Sequence, residues 1–360
     1  MRQAKDYLDS MRAEQILRTT PAGLYCPKGD FYVDPVRPVA RAVITHGHAD
    51  HARAGHGAVL ATPETLAIMA SRYGAEFTAN RQAAAYRERN TVNGVDVTLV
   101  PAGHVLGSAQ AVIEVRGKRV VVSGDYKRRH DPTCAPFEVV PCDIFISEAT
   151  FGLPVFRHPP AEEEIAKLLR SLKTFPDRCH LVGAYSLGKA QRVIAHLREA
   201  GYDAPIYLHG AMQKLCDLYE ELGVKLGDLR PAMEMMKTPL TREVFKGAIV
   251  LCPPSALNDV WSRRLGDVVT CFASGWMRVR ARARQRLVEL PLIISDHADW
   301  DELTQTVREV KPGALWVTHG AEEALVHWSN AIGIPAMALN LVGYDEEGAG
   351  EAQPSPEPAA

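Results

Sequence analysis

"ITHGHADHARAGH", Ile44–His56, holds four histidines and one aspartate within thirteen residues and follows the alternating apolar run "VARAVIT", which reads as a strand. His46 and His48 are two apart, so on an extended segment both point the same way. Asp50 and His51 follow where the chain must leave the strand. Imidazole nitrogen and carboxylate oxygen are the ligand set of zinc and similar borderline metals. The pattern HxHxDH therefore offers His46 and His48 to one ion, and Asp50 and His51 to a second beside it. His56 lies outside the pattern, among glycines, and reads as a turn residue.

Working outward, further β-type runs stop at residues able to bind a metal or move a proton. "VDVTLV" is followed by His104, "GKRVVVSGD" ends at Asp125, and "CDIFISEAT" ends near Glu148. "LIISDHAD" ends near His297, and "ALWVTHG" ends at His319. Chemistry usually sits where a rigid sheet delivers strand ends and loops to one place. Between these strands the spacing predicts helices. "ATPETLAIMASRYG" has Thr62 as N-cap, Pro63 in the first turn and Gly74 as its stop. "PPAEEEIAKLLRSLK" carries its acids first and its bases last, as the helix dipole prefers. "GKAQRVIAHLREAG" is closed by Gly201.

Size and composition narrow the class. The 360 residues suggest two domains, or one domain with a large insertion. A hydrophobic share of 46% and a charged share of 23% are ordinary for a globular chain. No apolar run approaches the roughly 18 residues of a membrane span, and "MRQAKDYLDSMRAEQ" has no apolar signal core, so cytoplasm is the expected location. The seven cysteines form no CxxC pair and read as small hydrophobes in a reducing compartment. A net charge of −2 excludes a globally basic nucleic-acid binder but not a local basic groove. The tail 344–360, with its acidic, Pro-, Gly- and Ala-rich "DEEGAGEAQPSPEPAA", has the composition of a disordered segment.

The basic segments suit a polyanion. "YKRRH" follows Asp125 directly and offers Lys127 and Arg128. "RVRARARQR" alternates Arg278, Arg280, Arg282, Arg284 and Arg286, so an extended strand would line all five along one face against successive phosphates. "GAYSLGKAQR" passes from strand to helix, where Ser186 and Lys189 could meet a phosphate at the helix start. It lacks the full GxxxxGK[ST] pattern of a nucleotide loop.

Taken together, HxHxDH, "AGHVLGS", "SGDY" and a late histidine resemble the metallo-β-lactamase fold. "ISEATFG", "SDHADW" and "VTHG" resemble the extra motifs of its β-CASP nuclease branch. "GLYCPKGDFYVDPVRPVARAVITHGHADHA", "SGDYKRRHDPTCAPFE", "EATFGLP" and "FASGWMRVR" are similar to the bacterial ligase-associated DNA exonucleases, over about residues 20–345.

The resemblance implies an α/β chain: an αββα sandwich of residues 1–155 and 286–343, with an inserted α/β β-CASP cap over 156–285 whose cleft holds nucleic acid. It implies two divalent ions, zinc or manganese. His46, His48 and His104 would bind the first, Asp50, His51 and His319 the second, and Asp125 would bridge them. A hydroxide shared by the ions would attack the phosphodiester. Asp34, in "FYVDP", would orient ligands or nucleophile. His297 would protonate the leaving oxygen with Glu148 fixing its tautomer, although ordinary metallo-β-lactamase hydrolases use a late histidine as a ligand instead.

The implied function is a DNA exonuclease in DNA repair, sharing its pathway with an ATP-dependent DNA ligase and a helicase. The alternatives are an RNA-processing β-CASP ribonuclease, of which the late His319 is typical, and a small-molecule metallo-hydrolase. The longer resemblance favours DNA over RNA.

Overall fold

The computed structural model describes residues 15–237, 241–339 and 341; the tail expected to be disordered lies outside these described residues. The chain divides into two compact units. Among the described residues, one is built from those before His158 together with those from Asp296 onward, and the other lies within His158–Ser295.

Alternation along the strands explains the layering of the first unit. Lys118–Val122 pairs in parallel with Ile144–Ala149, which pairs in parallel with Ala314–Gly320. Val120, Val122, Ile144, Ile146 and Trp316 face one way and join a cluster with Leu24, Phe31, Val33, Val43 and Leu60 of a second sheet. Val121, Phe145, Leu315 and Val317, the alternate residues, face the other way. They pack on Leu303 and Val307 of helix Trp300–Val310 and on Leu325 of helix Glu322–Ala331. The outer face of the second sheet, including Ala42, Ile44, Val59 and Ala61, is covered by Leu66 and Met69 of helix Pro63–Tyr73. Helix, sheet, sheet and helix therefore stack in that order.

Among the described residues this second sheet runs in sequence order from Arg18–Thr20 to Thr78–Ala83, six strands. The other has seven, ordered Ala336–Ala338, Ala314–Gly320, Ile144–Ala149, Lys118–Val122, Ala109–Val115, Val95–Pro101 and Arg89–Val92. Val95–Pro101 and Lys118–Val122 are each antiparallel to Ala109–Val115 and so run the same way. With their parallel neighbours they deliver His104, Asp125, Glu148 and His319 to one edge. Helix Pro63–Tyr73 starts as its sequence predicts: Thr62 Oγ1 accepts from Thr65 N–H, and Gly74 ends it with φ 86°.

Among its described residues the second unit holds a six-stranded parallel sheet ordered Leu229–Pro231, Ile206–Leu208, Ile249–Cys252, Cys179–Gly183, Val268–Ala273 and Leu290–Leu292. The predicted helices appear as Ala161–Thr174 and Lys189–Glu199. The boundaries differ from the expected 156–285, because Leu290–Leu292 adds an edge strand to this sheet by pairing with Cys271–Ala273. The run "LIISDHAD" thus ends its strand at Leu292, and His297 lies in the loop before helix Trp300–Val310. His56 is not a turn residue either. It opens strand His56–Ala61, and its Nδ1 accepts from Val39 N–H at 3.3 Å.

The arginine run is the largest departure. Gly275–Arg278 is a 3-10 turn and Arg280–Gln285 an α-helix, so no extended stripe forms. Arginine and alanine are good helix formers, and Val279 is the one β-branched residue in the run. On a helix, residues two apart point in nearly opposite directions, which scatters the side chains around the axis.

Candidate metal centre

Three histidines of the cluster have Nδ1 hydrogen-bonded to a fixed partner, and each turns Nε2 toward Asp125. His46 Nδ1 donates to Thr45 Oγ1 (3.0 Å), which itself donates to Asp34 Oδ2 (2.5 Å). His51 Nδ1 donates to Asp34 Oδ2 (2.8 Å). His104 Nδ1 donates to the Asp296 carbonyl (2.9 Å). The Nε2 atoms of His46, His51 and His104 then lie 3.4, 3.4 and 3.7 Å from Asp125 Oδ2. His48 Nδ1 is 2.9 Å from His104 Nε2, and Asp50 Oδ2 is 3.6 Å from His51 Nε2. Fixing the far nitrogen of a ligating histidine is how outer groups set its ring orientation and basicity.

Among the described residues five sets of donor atoms lie within 4.8 Å of one another; three are Asp34, His46 and His51, then His104, Asp296 and His297, then Asp125, Glu148 and His297, and the two that match the expected ligands are His46, His48, His104 and Asp125, and His51, Asp125 and His319. Asp125 belongs to both. The geometry brings six of the seven residues singled out in the sequence into these two sets; Asp50, its side chain 30% exposed, stands beside them through His51 and is part of neither. Asp34 sits behind His51 and receives Thr45 N–H at 2.8 Å, and it takes a left-handed backbone (φ 44°) to do so. Local backbone shape serves the cluster twice more. Gly124 has φ 56°, and a Cβ there would come within 2.7 Å of Thr45 Oγ1. His319 and Gly320 are both left-handed beside a register shift at Glu148/Ala149, a bulge that re-aims the strand end.

The electrostatics suit cations. Burial, helped by the charge on His51, pulls His46 down to about 4 and His319 likewise to about 4. Burial and the neighbouring His297 hold His104 well below the usual histidine range. These imidazoles are neutral at pH 7 with lone pairs to give. Burial opposes a charge on His51, but Asp125, Asp50 and Asp34 together raise it to about 10. Burial also opposes ionisation of Asp125, yet His51 and His297 keep it well below the usual carboxylate range. Nε2 of His46 is buried without a hydrogen-bond partner. A buried polar atom of this kind needs explaining, and a divalent ion would satisfy it. The donor set fits a pair of such ions.

Beside the cluster, His297 Nδ1 donates to Glu148 Oε2 (2.9 Å), and Glu148 Oε1 accepts from Tyr126 N–H (2.8 Å). Both side chains are almost fully buried. Burial raises Glu148, with the charge on His297 as the main opposing influence. The ring of His297 lies 4.7 Å from that of His104.

The residues expected to meet nucleic acid fare differently. Lys127 is buried, and its Nζ donates to Glu302 Oε2 (2.6 Å) and to the His297 carbonyl (3.0 Å). Arg128 pairs with Glu309 at 2.5 Å. Neither is presented to a phosphate, because the loop after Asp125 is tied down to helix Trp300–Val310. Lys189 does open its helix, but its side chain is fully buried, 5.8 Å from the Tyr185 ring centroid. The Gly188 N–H at that helix start is already taken by Gln191 Oε1 (2.8 Å), and Ser186 is half-buried. Arg278, Arg280 and Arg282 are exposed, as are Arg284 and Arg286.

Sequence reasoning missed Thr45, Asp296 and Glu302. The first two adjoin motif histidines, which was their only signal. Glu302 was legible as the last residue of "DWDE": Asp299 Oδ1 accepts from Glu302 N–H and Glu302 Oε2 from Asp299 N–H, both at 3.1 Å, a reciprocal helix cap.

Comparison with known proteins agrees with this geometry. Residues 33–178 match the metallo-beta-lactamase superfamily. A "Probable DNA ligase" of Opitutus terrae is 29% identical over 328 residues, 88% of this chain and 30% of that protein. An "Endoribonuclease ysh1" of Aspergillus fumigatus is 33% identical over 142 residues, 36% of this chain and 16% of that protein. "Cleavage and polyadenylation specificity factor subunit 3" of Dictyostelium discoideum is 33% identical over 142 residues, 36% and 18% of the two chains. The chain thus spans less than a third of the length of these curated relatives. A crystal structure of a protein of unknown function from Enterococcus faecalis shares the fold, with TM-score 0.53 and 14% identity over 79% of this chain and 76% of that one. The converging ligands, the two-sheet sandwich and these matches lead to one conclusion: the chain carries a metallo-beta-lactamase superfamily domain.

Proposed function

We propose that the chain is a two-metal phosphodiesterase acting on nucleic acid, and specifically a DNA exonuclease of DNA repair. The observation that carries this reading is a cluster of histidine and aspartate donor atoms sharing Asp125, with the hydrogen-bonded, buried His297–Glu148 pair directly against it. Hydrolysis of a poor leaving group needs both an activated water and a proton for the departing oxygen. Bound zinc or manganese ions would supply the acidified water and an electrostatic clamp on the phosphate. His46, His48 and His104 would hold one ion, Asp50, His51 and His319 the other, with Asp125 shared. Asp34, Thr45 and the Asp296 carbonyl keep the imidazoles aimed. Glu148 keeps the proton of His297 on Nδ1 and favours the imidazolium, so Nε2 can deliver a proton to the leaving oxygen.

DNA is supported by the relative named a probable DNA ligase, whose match covers most of this chain. That name also supports a shared pathway with an ATP-dependent ligase and, by extension, a helicase. RNA cleavage is the second reading, favoured by the relatives named endoribonucleases and by His319 at the late position. The seven free thiols suit a reducing cytoplasm.

The test gives purified protein, loaded with zinc or with manganese, end-labelled DNA and RNA of one sequence. Metal-dependent release of nucleotides from DNA ends is expected. Internal cutting of RNA with DNA untouched would replace the first reading by the second. His297→Ala should keep both metals yet slow cleavage by roughly 10²–10⁴-fold, with the defect shrinking on a nitrophenyl phosphodiester, whose leaving group needs no proton. His319→Ala should lower metal occupancy and impair both substrates. The opposite pattern would exchange the two histidines' roles.

A further inference from the structure

His297 is fixed at three points. Glu148 holds its ring. Lys127 Nζ donates to its carbonyl at 3.0 Å. The next residue, Ala298, donates its N–H to the Tyr126 carbonyl at 2.6 Å. Two of the three contacts come from the residues immediately after Asp125, and Tyr126 N–H in turn holds Glu148.

Glu302 secures that loop from the other side. Its Oε2 accepts from Lys127 Nζ at 2.6 Å, and its Oε1 accepts from the N–H groups of Arg128 and Arg129 at 3.0 and 2.9 Å. Arg129 adds a bond from Nη2 to Asp299 Oδ2 at 2.8 Å. Lys127 and His297 are 170 residues apart in the chain, with the whole second unit between them. The side chains of Lys127 and Glu302 are each only 5% exposed.

An ion pair this buried is a poor source of stability, since an apolar pair of similar volume is often as good. Its contacts suggest another role. We propose that Lys127 and Glu302 are positioning residues for His297: they lock the loop that starts at the bridging aspartate to the backbone of His297, and so set its Nε2 against the metal centre. This rests on the reading of His297 as the proton donor.

The test compares wild type, His297→Ala and the charge-balanced pair Lys127→Met/Glu302→Gln on end-labelled DNA and on a nitrophenyl phosphodiester. Metal content is measured by mass spectrometry, cobalt absorption reports the ligand cage, and thermal melting reports the fold. In the pair variant we expect two metals, an unchanged cobalt spectrum, and DNA cleavage slowed about 10–100-fold, the usual range for a group acting through another. The nitrophenyl rate should stay near wild type. Equal losses on both substrates, loss of neither, or loss of a metal would each overturn the assignment. If the pair variant does not fold, Lys127→Arg keeps the charge opposite Glu302 while replacing the ammonium at the His297 carbonyl, and the same leaving-group pattern is required of it. A His297→Ala protein with no leaving-group dependence would instead remove the underlying reading. A normal His297→Ala signature beside a symmetric defect in the pair variant would remove only this proposal.

Discussion

Two basic segments, Tyr126–His130 and Arg278–Arg286, make the same offer on paper and meet opposite fates. In the first, Lys127 is buried against Glu302, while Arg128 and Arg129 reach Glu309 and Asp299. In the second, all five arginines are exposed, and Arg282 and Arg286 lie over aromatic rings, 3.9 Å from the Trp276 centroid and 5.0 Å from that of Phe272. The difference is what each segment meets. Helix Trp300–Val310 places Glu302 and Glu309 under the first loop, whereas the second segment leans two of its guanidinium groups on aromatic faces and keeps all five arginines exposed. A run of positive charge in a sequence is therefore a statement about local composition. Whether it becomes architecture or a binding surface is decided by partners far along the chain.

The comparison breaks most severely at Asp125, where the first segment begins. If that segment is part of the metal centre's framework, Asp125→Ala should lose metal stoichiometry and cut the proposed nuclease activity by several orders of magnitude with the fold mostly retained. No substitution among the exposed arginines should change metal content. Two fully bound metals in Asp125→Ala, with near-normal cleavage, would end the bridging assignment and the distinction with it.

A smaller effect tests the burial of the first segment. Burial alone would raise the Glu302 carboxyl, but the Lys127 ammonium holds it down to about 2, against an ordinary 4.5. Because its folded value is depressed, the carboxylate stabilises the fold fully above pH 4.5, and that contribution fades as pH falls toward 2. Glu302→Gln leaves the buried ammonium uncompensated and should cost about 3–5 kcal/mol at pH 7. Urea unfolding at pH 7 and pH 3 checks both statements: the gap between wild type and variant should narrow at pH 3. A gap that is small, or that widens in acid, would show that the pair is not the structural charge described.

What was legible in advance follows the same division between local and distant causes. HxHxDH declares its ligands because all four residues are close in sequence. The alternation at Val120–Val122 and Ile144–Ile146 declares two buried faces because strand geometry has a period of two. Thr62 and Gly74 declare their helix because capping is a local bond. The burial of Lys127 was hidden, since it depends on Glu302, 175 residues away. His297 looked like a strand-end residue because "LIIS" is apolar enough for a strand, yet Leu290–Leu292 pairs within the second unit and leaves the histidine in a loop. The arginine run misled through a degenerate period. Alternating Arg and Ala reads as a strand by spacing and as a helix by propensity, and propensity prevailed.

The smallest expected effect belongs to the second segment and concerns binding alone. Arg280 and Arg284 are one helical step apart, at i and i+4, so they share a face. Both are exposed. Replacing both with Ala leaves the core intact and should keep stability within about 0.5 kcal/mol of wild type. If this face meets a phosphate backbone, affinity for an unstructured oligonucleotide should fall. The slope of log affinity against log salt should flatten by about 0.7–0.9 for each phosphate that is no longer neutralised. Binding is best measured with metal-free protein, so that cleavage does not consume the probe. Arg282→Ala gives an internal contrast, because it also strips the cover from Trp276 and should alter tryptophan fluorescence where the Arg280/Arg284 pair does not. An unchanged salt slope in the pair variant would make the exposed arginines a solvated surface. The two basic segments would then differ only in burial and not in purpose.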